Sequence, residues 1–529
     1  MKNKKGFTLI ELLAVIIILA VIALIATPIV LNVIDSARKS ANKDSAYGLL
    51  DSAKLYYMES LLDESKSLSG NLIDKINVSG RKPDSGTVYI NNRGETALAV
   101  VYDKVCYIKN YSDTDLTETD DINNCKIKVV YKDSILNGAD PELKDNLVPV
   151  IIEDDGTVKK ASLYSEWYNY TNKTWANAVT LKDKSISYTD EEIIPESNID
   201  GYFVWIPRYK YEIFNEGNYT NPIFSKPSTS TEQEIQIVFE SKNDSKSSGN
   251  VVGSYLTHPA FTLGSVELNG IWVAKFEVSG STTNIDVLPN VTSLRSLNVK
   301  TMFDLAYNYD RSLDSHMMKN TEWGAVAYLS HSKYGINTEI RINNSVTYTT
   351  GCAATIPALN YVGKSQSDHT EGYYNGCENE YYKSIGYLAS TTGNISGIYD
   401  MSGGVWEYMA SYMDGVYGNS GFDASSISNY DSKYFDIYPS GSEITTYNKR
   451  ILGDATGELG LFYYYKDSDN GQRYHSTWGA DYADFVEASY PWFIRGGHYS
   501  NGAVAGSFAF GRRTGSAYSD VSFRLVLID

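Results

Sequence analysis

The chain has 529 residues and a formal charge of −18. That balance excludes a nucleic-acid binder, which needs a basic footprint, and suits a surface that repels its neighbours in solution. The length leaves room for a stalk, a small head and a second, larger domain. Tyrosine, at 44 residues, and glycine, at 41, are abundant. This fits strand-rich, loop-rich structure and equally the rigid contact surfaces of binding loops.

Residues 1–6, MKNKKG, form a short basic leader, and residues 7–34 form an apolar run interrupted near its start by Glu11. A secretory signal carries its cleavage site after the apolar core. Here the processing-like site, Gly6-Phe7, lies before the core, so the apolar segment stays on the mature chain. At ~1.5 Å per residue it is long enough to span a bilayer. Lys2, Lys4 and Lys5 hold its start in the cytoplasm by the positive-inside bias, which puts everything after about residue 35 outside. A carboxylate in hydrocarbon is expensive, so Glu11 reads as a paired, functional acid. Beyond the run, Ala46, Leu49, Leu50, Ala53, Leu55 and Tyr56 keep helical spacing. One helix is predicted over 7–62, with its second half packed on a head domain.

Lys4, Lys5, Gly6, Phe7, Thr8, Leu9, Ile10, Glu11 and Leu12 together resemble the N-terminus of type IV pilins and pseudopilins. The resemblance implies that a prepilin peptidase cuts after Gly6 and that Phe7 is methylated. It also implies that Glu11 meets the N-terminal amine of a neighbouring subunit in a fibre. Pro28 matches a family position where the helix loosens.

Residues 63–150 read as a pilin-like β head, with strands at 87–92 and 98–110 joined by Asn-Arg-Gly-Glu and a further strand at 126–131. Residues 132–158 are acidic and turn-rich, so the domain boundary is placed there. The four cysteines permit disulfides in an exported chain. The local pairings are Cys106–Cys125, matching the loop that many pilin heads close, and Cys352–Cys377. None has CxxC spacing, and no metal site or cofactor is expected.

The second domain is assigned to 160–529. WYNYTNKTWANAVTL, GYFVWIPRYKYEIF and GIWVAKFEVSGS are aromatic strand-like segments, 225–252 is a polar surface insertion, and 318–335 is a helix. Three later pieces stand out: Tyr399, Asp400, Met401, Gly403, Val405, Trp406 and Glu407; then Arg495, Gly496 and Gly497; then Phe523 and Arg524. In this order they resemble the C-terminal half of the formylglycine-generating-enzyme-like domain, a variant of the C-type lectin fold. Gly404 and Tyr408 stand where that family has Asn and Trp. The resemblance covers roughly 200–529, so the fold class is α+β: a long transmembrane and stalk helix, a small head, then a lectin-type domain.

These residues have structural tasks. Trp406 is a core aromatic. Glu407 is costly to bury alone, and Arg495 or Arg524 is its expected partner, since Arg binds carboxylates bidentately. Gly496 and Gly497 allow a turn. Catalysis is not expected. The oxygen-dependent family members use C-terminal cysteines to bind copper, and no cysteine follows Cys377. Relatives that use iron hold it with histidines, but His258, His316, His331, His369, His475 and His498 offer no helical ligand spacing.

Residues 498–522, HYSNGAVAGSFAFGRRTGSAYSDVS, resemble the variable region of retroelement-diversified proteins, which ends lectin-fold genes between Arg-Gly-Gly and Phe-Arg. Randomised Asn codons never yield Lys, Glu, Gln, Met or Trp, and the segment contains none of these. The resemblance implies variable, ligand-binding positions at His498, Tyr499, Ser500, Asn501, Val504, Gly511, Arg512, Arg513, Ser516, Tyr518, Ser519 and Asp520. They are expected mostly to face solvent on one surface, with Phe508, Phe510 and Phe523 turned inward. The expected function is a surface-displayed, pilin-like protein that binds a protein or glycan. Its expected partners are other pilin subunits and the peptidase, with no nucleic acid. The alternatives are a formylglycine-generating oxidoreductase and a structural minor pilin or pseudopilin of a secretion or DNA-uptake system.

Overall fold

A computed structural model describes residues 8–528 apart from 64, 65, 67, 69, 79, 92, 93, 112, 128, 129, 213–233, 249–253, 356–375, 441–450, 457–462, 467–472 and 477–480. The chain divides into two compact units, one of Met1–Tyr131 with Leu163–Glu166, the other of Lys132–Ser162 with Trp167–Asp529.

The first unit is built on helix α1, Leu9–Ser60. Thr8 caps it, and Glu11 completes a reciprocal capping box. Pro28 lies inside the helix and removes one ladder hydrogen bond. From Leu9 to Ile34 the large apolar side chains are exposed. The helix is long and apolar enough to cross a membrane. Its second half buries Asn42, Ala46, Leu49, Leu50 and Ala53, a stripe at helical spacing. That stripe packs on an antiparallel meander of β1 (Ser85–Ile90), β2 (Thr96–Tyr102), β3 (Val105–Lys109) and β4 (Thr117–Thr119). Leu98, Val100 and Tyr102 of β2 join the helix-side core, while Ala97 and Ala99 pack with Tyr89 and Ile127 on the other face. The strand expected over 98–110 is therefore two. Asp103 and Lys104, both at positive φ, make a two-residue hairpin turn between them. Asn42 and Arg81 hold Asp103 at 3.1 and 2.6 Å. The bond to Arg81, then that to Asn42, draws its carboxyl down to about 2. Cys106 and Cys125 form a disulfide. The described residues of 126–131 are in no strand, because Ile127 packs as a single anchor; 128 and 129 lie outside the described residues.

The second unit begins earlier than the sequence reading placed it. Pro149, Val150 and Ile152 are buried within an acidic stretch that otherwise reads as linker. Their strand β5 (Val148–Ile152) pairs with β6 (Val158–Lys160) and β7 (Asn177–Leu181). β7 pairs with β8 (Ile199–Pro207), and the sheet continues through Gly270–Ala274 and Leu525–Leu527 to His316–Met317. β8 and Gly270–Ala274 are almost wholly buried, which is why they read as continuous aromatic and aliphatic runs. A second sheet orders Asp436–Tyr438, Trp406–Met413, Trp492–Gly496 and Gly506–Arg513, with Val521–Phe523 also on Trp406–Met413. Helix α2 (Val299–Asn308) was not expected. Helix α3 (Asn320–Ser330) falls inside the predicted 318–335 and is buried throughout. Of the expected insertion at 225–252, residues 225–233 and 249–252 lie outside the described residues, but Gln236–Phe239 within it is a strand with Ile237 and Phe239 buried.

His258 sits in an aromatic cage of Tyr209, Tyr211 and Phe261. Burial pushes its imidazole down to about 3. The folded value lies below the unfolded one of about 6.5, so this neutral ring contributes stability above pH 6.5 that is lost as pH falls towards 3. Carboxyls that burial pushes up act in the opposite sense. The readout is therefore a difference between two proteins. His258→Asn, which retains an acceptor for the Ala260 amide, is expected to lose less melting temperature between pH 7 and pH 5 than the parent chain, both in detergent. An equal loss would remove His258 as an acid-sensitive element.

Candidate functional site

At the N-terminus the structure shows how Glu11 is held before any partner arrives. Its Oε2 accepts the Thr8 amide and the Thr8 hydroxyl, both at 2.8 Å, while Thr8 Oγ1 accepts the Glu11 amide at 3.3 Å. Gly6 and Phe7 lie outside the described residues.

In the second unit the three matched motifs meet around one buried group. Trp406 is 4% exposed, and Glu407, Arg495 and Arg524 are fully buried. Register sets Glu407 opposite Arg495 on one side and Ser522 on the other. Arg524, not Arg495, takes the carboxylate: Nε donates to Oε2 at 3.0 Å and Nη2 to Oε1 at 2.6 Å. Arg524 also donates to the carbonyls of Ala274 and Tyr399. Burial pushes Glu407 up to about 7 against the opposing pull of Arg524. Arg495 instead donates to the Asp454 carbonyl at 2.9 Å and lies over Trp323 and Phe510. Burial draws its guanidinium down to about 10.

Two further buried carboxylates adjoin this pair. Asp400 accepts from Asn343 and the Gly351 amide. Glu277 accepts from Ser293 and the Val405 amide. Burial raises both, with Arg524 opposing it at Asp400 and the Asp400 charge reinforcing it at Glu277. Glu277 leaves room only for a glycine at 404. That residue has φ +66, and a Cβ there would lie 2.6 Å from Glu277 Oε1. The space beside Gly404 is filled by an acid from the segment that follows the strand Gly270–Ala274.

The same cluster places the start of the candidate face. Gly496 and Gly497 both have positive φ, and a Cβ on Gly497 would stand 2.6 Å from that of Ala505. The turn they make returns the chain so that the Tyr499 amide donates to the Gly404 carbonyl. Phe508, Phe510 and Phe523 are buried. Of the candidate positions, Ser519 is exposed. His498, Tyr499, Ser500, Asn501, Val504, Arg512, Arg513, Ser516, Tyr518 and Asp520 are half-buried, and Gly511 is buried.

They do not form one surface. Arg512 and Arg513 are neighbours on a strand and point to opposite faces. Arg513 pairs with Asp520 at 3.2 Å and lies over Tyr518. Arg512 shares a side with Phe510, where Asp484 and Glu487 hold it at 3.0 and 2.9 Å. Arg512 therefore caps the core, and Gly511 packs against Ile494. The Asn501 side chain is also committed, accepting the His498 amide at 2.6 Å. What remains is a compact group of His498, Tyr499, Arg513, Tyr518, Ser519 and Asp520. Two residues that sequence reasoning missed join it. Arg295 lies flat on Tyr348, 3.7 Å from the ring centre, and donates to the Ser519 carbonyl. The Tyr348 ring meets those of Tyr499 and His498 at 5.4 and 5.9 Å. Nothing in the local sequence around either residue signals this convergence.

All four cysteines are paired, Cys106 with Cys125 and Cys352 with Cys377. Among the described residues no group of His, Cys, Asp and Glu is arranged to hold a metal.

Residues 1–27 match the family model of the prokaryotic N-terminal methylation motif. The chain thus carries a type IV pilin-like N-terminus, and the motif implies processing by a prepilin peptidase and assembly with other pilins. With the long apolar helix, it fits a membrane-anchored pilin later displayed on the cell surface. No curated protein matches the chain.

Proposed function

We propose that this pilin-type protein carries a ligand-binding domain on its stalk, with a C-type-lectin-like scaffold of the formylglycine-generating-enzyme type and a binding face at its C-terminal end. The observation that carries the reading is the convergence of His498, Tyr499, Arg513, Tyr518 and Ser519 on one partly exposed patch above a rigid, fully buried lock. Loop residues on a fixed scaffold can change without disturbing the core, and Tyr and Arg are the residue types that dominate binding hot spots. Diversification of 498–522 by a retroelement is part of this reading. It rests on the flanking Arg-Gly-Gly and Phe-Arg and on the absence of five residue types between them. Binding is favoured over oxidoreductase chemistry because every cysteine is committed to a disulfide, and over a purely structural pilin because a fibre cap has no need of an aromatic, cationic patch.

The test is attachment. Cells displaying a Tyr499, Arg513 and Tyr518 triple Ser variant should assemble fibres normally and lose attachment to their target surface. The melting temperature should fall less than in Arg524→Ala, because all three side chains are half-buried and none belongs to the fully buried lock. Arg512 is left intact, since it caps the core. Unchanged attachment would overturn the binding face. Unfolding of the variant would return these residues to the core.

A further inference from the structure

The patch described above is electrically lopsided. Arg295 and Arg513 both lie beside His498, and their charges, after burial, help draw its imidazole down to about 4. Asp520 is the acid on the patch, and it is engaged by Arg513. Arg295 has no carboxylate within ion-pair distance among the described residues. Among the described residues its side chain donates to a backbone carbonyl alone, and Nε of Arg295 and Nε2 of His498 have no partner there. A guanidinium has five donors in a rigid fork suited to a carboxylate, and no carboxylate among the described residues takes this one's.

The ring beneath it is held in place. Tyr348 has φ +58, a left-handed conformation that is an outlier for a bulky residue. Its amide donates to the Ser345 carbonyl, and its own carbonyl accepts from the Ser293 amide and hydroxyl. The backbone is thus fixed at both ends with the ring under Arg295 and beside Tyr499. Tyr348 and Arg295 lie outside 498–522, so they would stay constant whatever stands in that segment.

The patch also carries hydroxyls beside its rings: Ser500 Oγ meets His498 Nδ1 at 2.9 Å, and Thr514 Oγ1 meets both Ser516 Oγ and the Tyr518 hydroxyl. Flat rings with a hydroxyl rim and an unmatched cation suit a sugar, whose C–H faces stack on aromatics and whose hydroxyls bond the rim.

We propose that Arg295, seated on Tyr348, is a fixed carboxylate anchor and that the face binds an acidic saccharide. This rests on the binding-face reading. Calorimetry on the detergent-solubilised full chain would compare sialyllactose and a hyaluronan tetrasaccharide with neutral lactose. At least one acidic probe should bind about tenfold or more tighter than lactose, and which one distinguishes a sialic from a uronic acid source. Binding should weaken with salt. Arg295→Gln should remove the preference with an unchanged melting temperature, and Arg295→Lys, which keeps the charge without the fork, should restore only part of it. The proposal is overturned by equal binding of lactose, by no binding of either acidic probe, by binding of a Glu-rich decapeptide instead, or by an Arg295→Gln protein that binds like the parent. If Arg295→Gln fails to fold, the acidic-to-neutral comparison alone decides. Loss of attachment in the triple variant without acidic-saccharide binding sinks this inference alone. Unchanged attachment sinks the binding face itself.

Discussion

Arg524→Ala is expected to lower the melting temperature of the second unit by roughly 4–6 °C, the loss of a buried partner spread over the melting entropy of a unit this large. Removing one partner of a buried ion pair typically costs roughly 3–5 kcal/mol, because the remaining charge is stranded. Here the stranded group would be Glu407, fully buried beside Asp400 and Glu277. Two carbonyls, of Ala274 and Tyr399, would lose their donor as well. Arg524→Lys should recover only part of the loss, since an ammonium cannot reproduce the two parallel bonds. Arg495→Ala is the informative contrast. It leaves no carboxylate alone and removes packing on Trp323 and Phe510, so it should cost less. Scanning calorimetry of the three variants checks the ranking. An Arg495→Ala protein less stable than Arg524→Ala would mean that Glu407 draws its stability elsewhere.

The second large effect belongs to the other end of the chain. Glu11→Ala should leave the protein in the membrane and keep it out of fibres. The helix itself has little to lose: a helix cap is worth about 1 kcal/mol, and the apolar run through Ile34 is untouched. What disappears is the single carboxylate in that run, whose cost in hydrocarbon has to be offset by a partner. In the separate chain the Thr8 amide and hydroxyl occupy it. Membrane fractionation beside an immunoblot of sheared fibres measures both halves of the expectation. Normal incorporation of Glu11→Ala would show that assembly does not depend on this acid.

The sequence was most readable where one physical demand acts alone. The leader and the apolar run declared a membrane helix because nothing else explains so many exposed apolar side chains, and the match over residues 1–27 agrees. The stripe at Ala46, Leu49, Leu50 and Ala53 declared the packed half of α1 for the same reason. It was least readable where two demands compete. Around Val148–Ile152, short-range acidity and turns concealed a strand whose burial is set by β7, a partner distant in sequence. At Ile127 an apolar residue resembled a strand but anchors a loop. At the candidate site, alternation along Gly506–Arg513 could have separated Arg512 from Arg513 in advance. Arg295 and Tyr348 could not have been found, because their place on the face depends on three segments meeting and on a backbone conformation that no tyrosine advertises.

The strand Leu525–Leu527 lies between Gly270–Ala274 and His316–Met317, pairing Val526 with both Val273 and His316. Such a contact joins residues far apart in the chain, so sheet closure is a late, slow event. On an exported polypeptide, the central sheet cannot close until residue 527 has crossed the membrane. A premature stop anywhere in 498–522 therefore does more than trim a surface. It withdraws an interior strand together with Arg524, and the product cannot complete its core. Every copy that completes this sheet has therefore been translated through residue 527.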